Sequence, residues 1–135
     1  MEYLTGKSIW KLQNKPLKVF DERVINFIND ISIAILNENS NREFSDLISF
    51  GFWCRKSNLN RIIDTHKSKF PRMGRGIAFH IAPGNMPVNF AFSMIFSLLC
   101  GNINIVRIPQ KKHEQTKIIC NVLNNLLKIE RYKFL

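Results

Sequence analysis

Gly76-Ile77-Ala78-Phe79-His80-Ile81-Ala82-Pro83-Gly84-Asn85-Met86-Pro87 is the stretch that decides the fold of this 135-residue chain. Ile77, Phe79 and Ile81 alternate with Ala78, His80 and Ala82, a period of two that predicts a strand buried on both faces or nearly so. Pro83-Gly84-Asn85 ends it abruptly. A strongly apolar segment follows and is closed by Cys100-Gly101-Asn102, with Pro87 suited to a helix's first turn and Gly101 to the residue just past its end. Ile103-Asn104-Ile105-Val106-Arg107-Ile108-Pro109 then reads as a second strand. Strand, turn, helix and strand make a βαβ unit, with Asn85 at the carboxyl end of the first strand. In open α/β sheets that edge is where ligands bind.

The pattern upstream is helical. Asp21 is placed to cap a helix in which Val24, Ile28, Ile31 and Ile35 recur on one face. Residues 37–41 are a loop. A second helix is expected over about residues 43–56, with Phe44, Leu47, Ile48 and Phe52 on one side. Ser57 or Asn58 is placed to cap a third, carrying Leu59, Ile62 and Ile63. Residues 70–76 break the pattern with Pro71, Gly74 and Gly76. Downstream, Ile118, Val122, Leu126 and Ile129 predict a helix over residues 114–129, and Tyr132 to Leu135 read as the first residues of a further strand. The chain is thus expected to be α/β, with residues 1–19 an irregular arm, 20–73 a helical region and 74–135 the start of a nucleotide-binding α/β domain. Two parallel strands do not make a complete sheet domain, so the sequence reads as cut off.

Hydrophobic residues make up 45% of the chain, and eleven are Phe, more than so short a chain needs for its own core. The net charge is +10, with basic residues crowded into 55–75 and 107–117. Such a balance suits a solvated basic face or an anionic partner. Zinc-finger spacing and aromatic RNA-binding signatures are both missing, so no nucleic-acid partner is expected. Cys54, Cys100 and Cys120 are widely separated and set in helical patterns, which indicates reduced thiols rather than a disulfide framework. Cys100 is read as core. His66, His80 and His113 make no metal-ligand spacing. No signal peptide is visible, and the apolar run 88–100 falls short of the ~20 residues a spanning helix needs. The protein is expected to be soluble and cytoplasmic, with no membrane span.

Asn85 carries the chemistry best placed for function. Its amide could donate to a carbonyl oxygen or a developing oxyanion, or serve as a turn residue capping the helix. His80, inside an alternating strand, reads as a satisfied buried histidine rather than a catalyst. Arg107 and Gln110, at the end of the second strand, could reach a nucleotide's ribose or phosphate; a surface ion pair is the plain alternative for Arg107. Gly-x-Gly-x-x-Gly and Walker loops are both missing, and no residue stands out as a nucleophile.

Taken in order, residues 27–36, 52–59, 75–87 and 101–109 resemble the N-terminal part of the LuxC-type acyl-CoA (fatty acyl) reductases, a branch of the aldehyde dehydrogenase superfamily. The resemblance spans roughly residues 20–130 and is carried mainly by its last two pieces. It implies a Rossmann-like cofactor domain, here only an incomplete βαβα unit, and NADPH-dependent reduction of a fatty acyl thioester to an aldehyde through a cysteine acyl-enzyme. It makes Asn85 the oxyanion donor, and it puts Ile81, Ala82, Pro83, Gly84, Arg107, Pro109 and Gln110 against the cofactor. Arg107-Ile108-Pro109 departs from the superfamily's usual lysine directly before the proline. The implied partners are a fatty acyl-CoA or acyl-protein thioester and, for the full-length form, a homo-oligomer or an acyl-transferring enzyme. None of the three cysteines matches the family's nucleophile, so the chain is expected to be an inactive N-terminal fragment. The alternative is a small non-catalytic module that binds a nucleotide or a partner.

Overall fold

The computed structural model describes residues 3–6, 15–111 and 113–135. Five helices and two strands follow one another: α1 (Glu22–Asn37), α2 (Ser45–Trp53), α3 (Lys56–Thr65), β1 (Ile77–Ile81), α4 (Asn89–Leu99), β2 (Ile103–Arg107) and α5 (Glu114–Leu127). Short 3₁₀ turns occupy Asn39–Glu43 and Glu130–Tyr132. The strands are parallel, with Ile77 opposite Ile103 and Ile81 opposite Arg107. The chain is therefore mixed α/β, with α4 as the crossover between its two strands.

Helix α1 is the hub. Asp21 caps it by accepting from the Arg23 amide at 2.9 Å, and the Arg23 guanidinium holds the Asp21 carboxyl below its ordinary range. The face formed by Val24, Phe27, Ile28, Ile31 and Ile35 is buried, and it packs on α2, α3, α4 and α5. Those residues share a single apolar cluster with Leu47 and Phe50 of α2, Phe90, Ala91 and Ile95 of α4, and Ile119 and Leu123 of α5. Edge-to-face contacts of Phe92 with Phe50 at 5.0 Å and Trp53 at 5.7 Å join α2 to α4. Two caps come from afar. Asn29 of α1 accepts the first amide of α3, Lys56 N, at 2.9 Å, and buried Asn41 donates to the Ile35 carbonyl near the end of α1 at 2.9 Å. Neither Ser57 nor Asn58 caps α3, which begins at Lys56; Asn58 instead donates to the Trp53 carbonyl.

Three backbones cross where α4 ends. Gly101 lies at φ +81° and closes the helix by donating to Leu98 O at 2.8 Å, while Asn102 N reaches Ser97 O at 3.1 Å. Its own carbonyl accepts from Leu17 N at 2.8 Å, and Leu17 O accepts from Gly74 N at 2.9 Å. A Cβ on Gly74 would lie 2.1 Å from Gly101 O, and one on Gly101 would lie 2.1 Å from Leu17 O. Bonds from Val19 N to Arg72 O, and from Arg75 N to the Asn102 side chain, extend the seam to the start of β1. The last residues of the predicted arm are thus part of the framework.

Several expectations fail. Helix α4 lies over the Ala78 and His80 side of β1, while Ile77, Phe79 and Ile81 on the other side are 60%, 61% and 70% exposed. The apolar alternation is that of a two-sided strand, but the described residues cover one side. Pro87 does not enter α4; it sits in the turn closed by Asn89 N and Met86 O, two residues ahead of the helix. Cys100 is exposed rather than core, because the helix leaves the apolar cluster after Leu99. Tyr132 to Leu135 form no strand. Tyr132 is buried edge-on against Phe27 and donates to Asp30 at 2.6 Å, which curls the segment onto α1. Burial, then the Asp30 carboxylate, push the Tyr132 phenol up to about 12.

Substituting the crossing glycines tests this framework. Gly101→Ala and Gly74→Ala should each lose at least ~3 kcal/mol in urea unfolding, since backbone must move. Gly76→Ala has open space and only its φ of +128° to strain it, so a loss of ~1–2 kcal/mol is expected. Equal losses at all three positions would refute the crossing as the determinant.

Candidate functional site at the carboxyl edge of the sheet

The two strands end side by side. Ala82 N donates to Arg107 O at 3.1 Å, extending the ladder one residue past β1 before the chain turns at residues 83–87. The start of α5 approaches this turn and holds it at two points, through its N-cap His113 and through Thr116. His113 Nε2 lies 3.1 Å from the Gly84 carbonyl, which can only accept, so that nitrogen carries the proton. Thr116 Oγ1 donates to Pro87 O at 3.1 Å. Pro109 packs beneath Gly84, where a Cβ would meet Pro109 Cβ at 3.6 Å, an ordinary contact. Gly84 is therefore not demanded by space.

Asn85 stands exposed at the tip of this turn. It does not cap α4, whose N-cap is Val88 and has no side-chain cap. The Asn85 amide makes no hydrogen bond to any described residue, so it is available to a ligand. Arg107 and Gln110 lie on the neighbouring strand's exit, both exposed. Arg107 and Lys111 form no ion pair among the described residues, whereas Glu114 is taken by Lys117 at 2.9 Å. The edge is consequently cationic. Between the two loops the crevice lined by Ala82, Pro83, Met86, Pro109 and His113 holds about 10 Å³, too little for a nucleotide. Ile81 is exposed, and its side chain belongs to the uncovered face of the sheet, away from α4.

His80 does not join this group. Its ring links three elements: Nε2 lies 2.8 Å from Asn104 Oδ1 of β2, and Nδ1 lies 2.7 Å from Ser93 Oγ of α4. Asn104 Nδ2 is committed to Asn102 O, so Asn104 Oδ1 accepts, Nε2 donates and Nδ1 receives the Ser93 proton. His80 is a half-buried, fully satisfied clamp between sheet and helix.

The cysteines are equally clear. Cys54 and Cys120 are buried, and burial pushes both thiols up, that of Cys120 to about 11. Neither forms thiolate near neutral pH. Cys100 is exposed but sits at the far end of α4, whose 11 residues rise about 16 Å from the edge bearing Asn85. Among the described residues no cluster of His, Cys, Asp or Glu could hold a metal, and no helix is long and apolar enough to cross a membrane.

Sequence reasoning located Asn85, Arg107 and Gln110 at one edge but missed the residues that hold the turn. His113 and Thr116 act 29 positions away in sequence from the carbonyls they bind, with no spacing to reveal them. A family model described as acyl-CoA reductase (LuxC) matches residues 20–130, from the residue before the α1 cap to just past α5. No curated protein and no solved structure matches the chain.

Two measurements test these assignments. His80→Ala leaves Ser93 and Asn104 without their partner and should cost ~1–3 kcal/mol, with His80→Gln recovering part of it; an unchanged unfolding midpoint would reject the clamp. In the folded chain iodoacetamide at pH 7.5 should modify Cys100 alone, with Cys54 and Cys120 reacting only in denaturant. Because the folded Cys120 thiol ionises at about 11 against an ordinary 9.0, its ionisation favours the unfolded chain as pH rises from 9 to 11. Alkaline titration should therefore lower stability in that window, and less so in Cys120→Ala.

Proposed function

The chain belongs to the acyl-CoA reductase (LuxC) family, and on that premise we propose that it supplies the oxyanion donor and one cofactor wall of an acyl thioester reductase. The family acts on acyl substrates as a reductase. We read the sheet as the first part of a Rossmann-like cofactor domain, the product as a fatty aldehyde, and the reductant as NADPH.

One observation carries the reading: the Asn85 amide is exposed, uncommitted and held at the carboxyl end of β1. As a thioester carbonyl is attacked, negative charge grows on its oxygen, and an amide N–H₂ already fixed in place stabilises that charge without reorganising. His113 and Thr116 fix the turn, which keeps the donor where the charge develops. Arg107, uncommitted and exposed, suits a phosphate of the cofactor, and Gln110 suits its ribose; Ala82, Pro83, Gly84 and Pro109 offer backbone and ring surface beside them. The cofactor's contribution, when bound, is a hydride for the acyl carbon. The shallow crevice between the loops means that these residues form one wall of such a site rather than an enclosed pocket.

The nucleophile lies outside this set. Cys54 and Cys120 are buried and protonated, and Cys100 is at the wrong end of α4. An acyl-accepting thiol must then come from polypeptide other than these 135 residues, and the chain alone forms no acyl-enzyme. The rival reading, a non-catalytic nucleotide-binding module, shares the edge but needs no thiol at all.

Three assays separate the readings. The 135-residue chain with NADPH and a long-chain acyl-CoA should consume no NADPH and yield no aldehyde; turnover would sink the missing-nucleophile argument. In an active reductase that contains these residues, Asn85→Ala should lower kcat by about 10²–10³ with little change in KM, and an unaltered kcat would remove the oxyanion role. Nucleotide titration followed by NADPH fluorescence should show weak binding that falls further in Arg107→Ala, whereas tight binding would favour the module.

A further inference from the structure

His113 does more to the Asn85 turn than hold it in place. It is the N-cap residue of α5, and its Nε2–H donates to the Gly84 carbonyl at 3.1 Å. That carbonyl belongs to the same peptide unit as the Asn85 main-chain N–H. The unit is planar and trans, so the two groups point in opposite directions. With the carbonyl drawn to α5, the Asn85 N–H is turned to the side of the loop away from α5. Thr116 Oγ1, three residues along the same helix, draws the Pro87 carbonyl at 3.1 Å. The turn is gripped by carbonyls on either side of Asn85.

The donor left over is not used within the chain. Asn85 is exposed, and no described residue accepts its main-chain N–H. The donors that bracket the turn are committed, Ala82 N to Arg107 O at 3.1 Å and Asn89 N to Met86 O at 3.3 Å. Asn85 therefore carries two open donors, the main-chain N–H and the side-chain amide.

We propose that the Asn85 main-chain N–H is a second donor to the acyl carbonyl oxygen that the Asn85 side chain polarises, and that His113 is the positioning residue that aims it. The inference rests on the acyl-reductase reading and deepens it. An oxygen that gains negative charge as its carbonyl is attacked has lone pairs for more than one donor, and a single amide leaves part of that charge unpaired. The second donor needs no reorganisation, because the bond on the far side of its own peptide plane already sets its direction. Both donors also sit on one residue, so no further loop has to close to bring them together.

Two experiments test it. In the 135-residue chain, long-range proton–nitrogen NMR should show His113 as the Nε2–H tautomer, and the Asn85 amide should exchange with solvent as an unbonded group does. A protected Asn85 amide, or the Nδ1–H tautomer, would overturn the proposal. In an active reductase that contains these residues, replacing Asn85 by its α-hydroxy acid removes the main-chain N–H and keeps the side chain. There kcat should fall about tenfold or more with little change in KM. His113→Leu should give a similar loss, and His113→Gln, which keeps an N–H donor, should restore most of it. Full kcat in the hydroxy-acid variant beside an impaired Asn85→Ala would discard the second donor and leave the side-chain role standing. Full kcat in Asn85→Ala would instead remove the oxyanion reading, and this proposal with it. Equal losses in His113→Leu and His113→Gln would reject the positioning role.

Discussion

The crossing of Leu17, Gly74 and Gly101 is the constraint on which the rest of the structure depends. Three backbones approach within hydrogen-bonding distance with no side chain between them, and a Cβ at Gly74 or Gly101 would collide with a carbonyl at 2.1 Å. The junction ends α4, starts the run into β2, fixes the segment leading into β1 and ties in the strip ahead of α1. Because α4 is the crossover of the βαβ unit, locking its carboxyl end sets the register of the strands. The strand ends, and hence Asn85 and Arg107, inherit their positions from this point.

At the opposite end of α4 the molecule is arranged differently. The turn bearing Asn85 is held by side chains, His113 and Thr116, rather than by packed glycines. Such a turn can present an amide to a ligand while remaining exposed. The surrounding charge is cationic because Arg107 and Lys111 lack described acidic partners, which suits phosphate-bearing ligands. The same physical chemistry keeps the thiols out: two are buried where ionisation is suppressed, and the exposed one is a helix length away.

Among the described residues the sheet has one covered side. Helix α4 lies over Ala78 and His80, and the His80 ring joins Ser93 to Asn104 across helix and both strands. Ile77, Phe79 and Ile81 turn outward, and among the described residues no strand pairs with the outer edge of β2.

Much of this was legible in the residues. The alternation through residues 77–81, the stop at Pro83-Gly84-Asn85, Gly101 after an apolar run and the capping Asp21 follow from local sterics and hydrogen bonding, so sequence alone determined the βαβ order, the α1 start and the edge that carries Asn85. The tertiary structure decided what depends on distant partners. It showed that Asn29 rather than Ser57 or Asn58 caps α3, that His113 and Thr116 hold the turn bearing Asn85, and that Tyr132 buries against Phe27 instead of opening a strand. It also decided which side of β1 is covered and which thiols are sealed. Periodicity reports that a side chain is apolar, whereas burial requires another segment to arrive, and only the folded chain brings that segment.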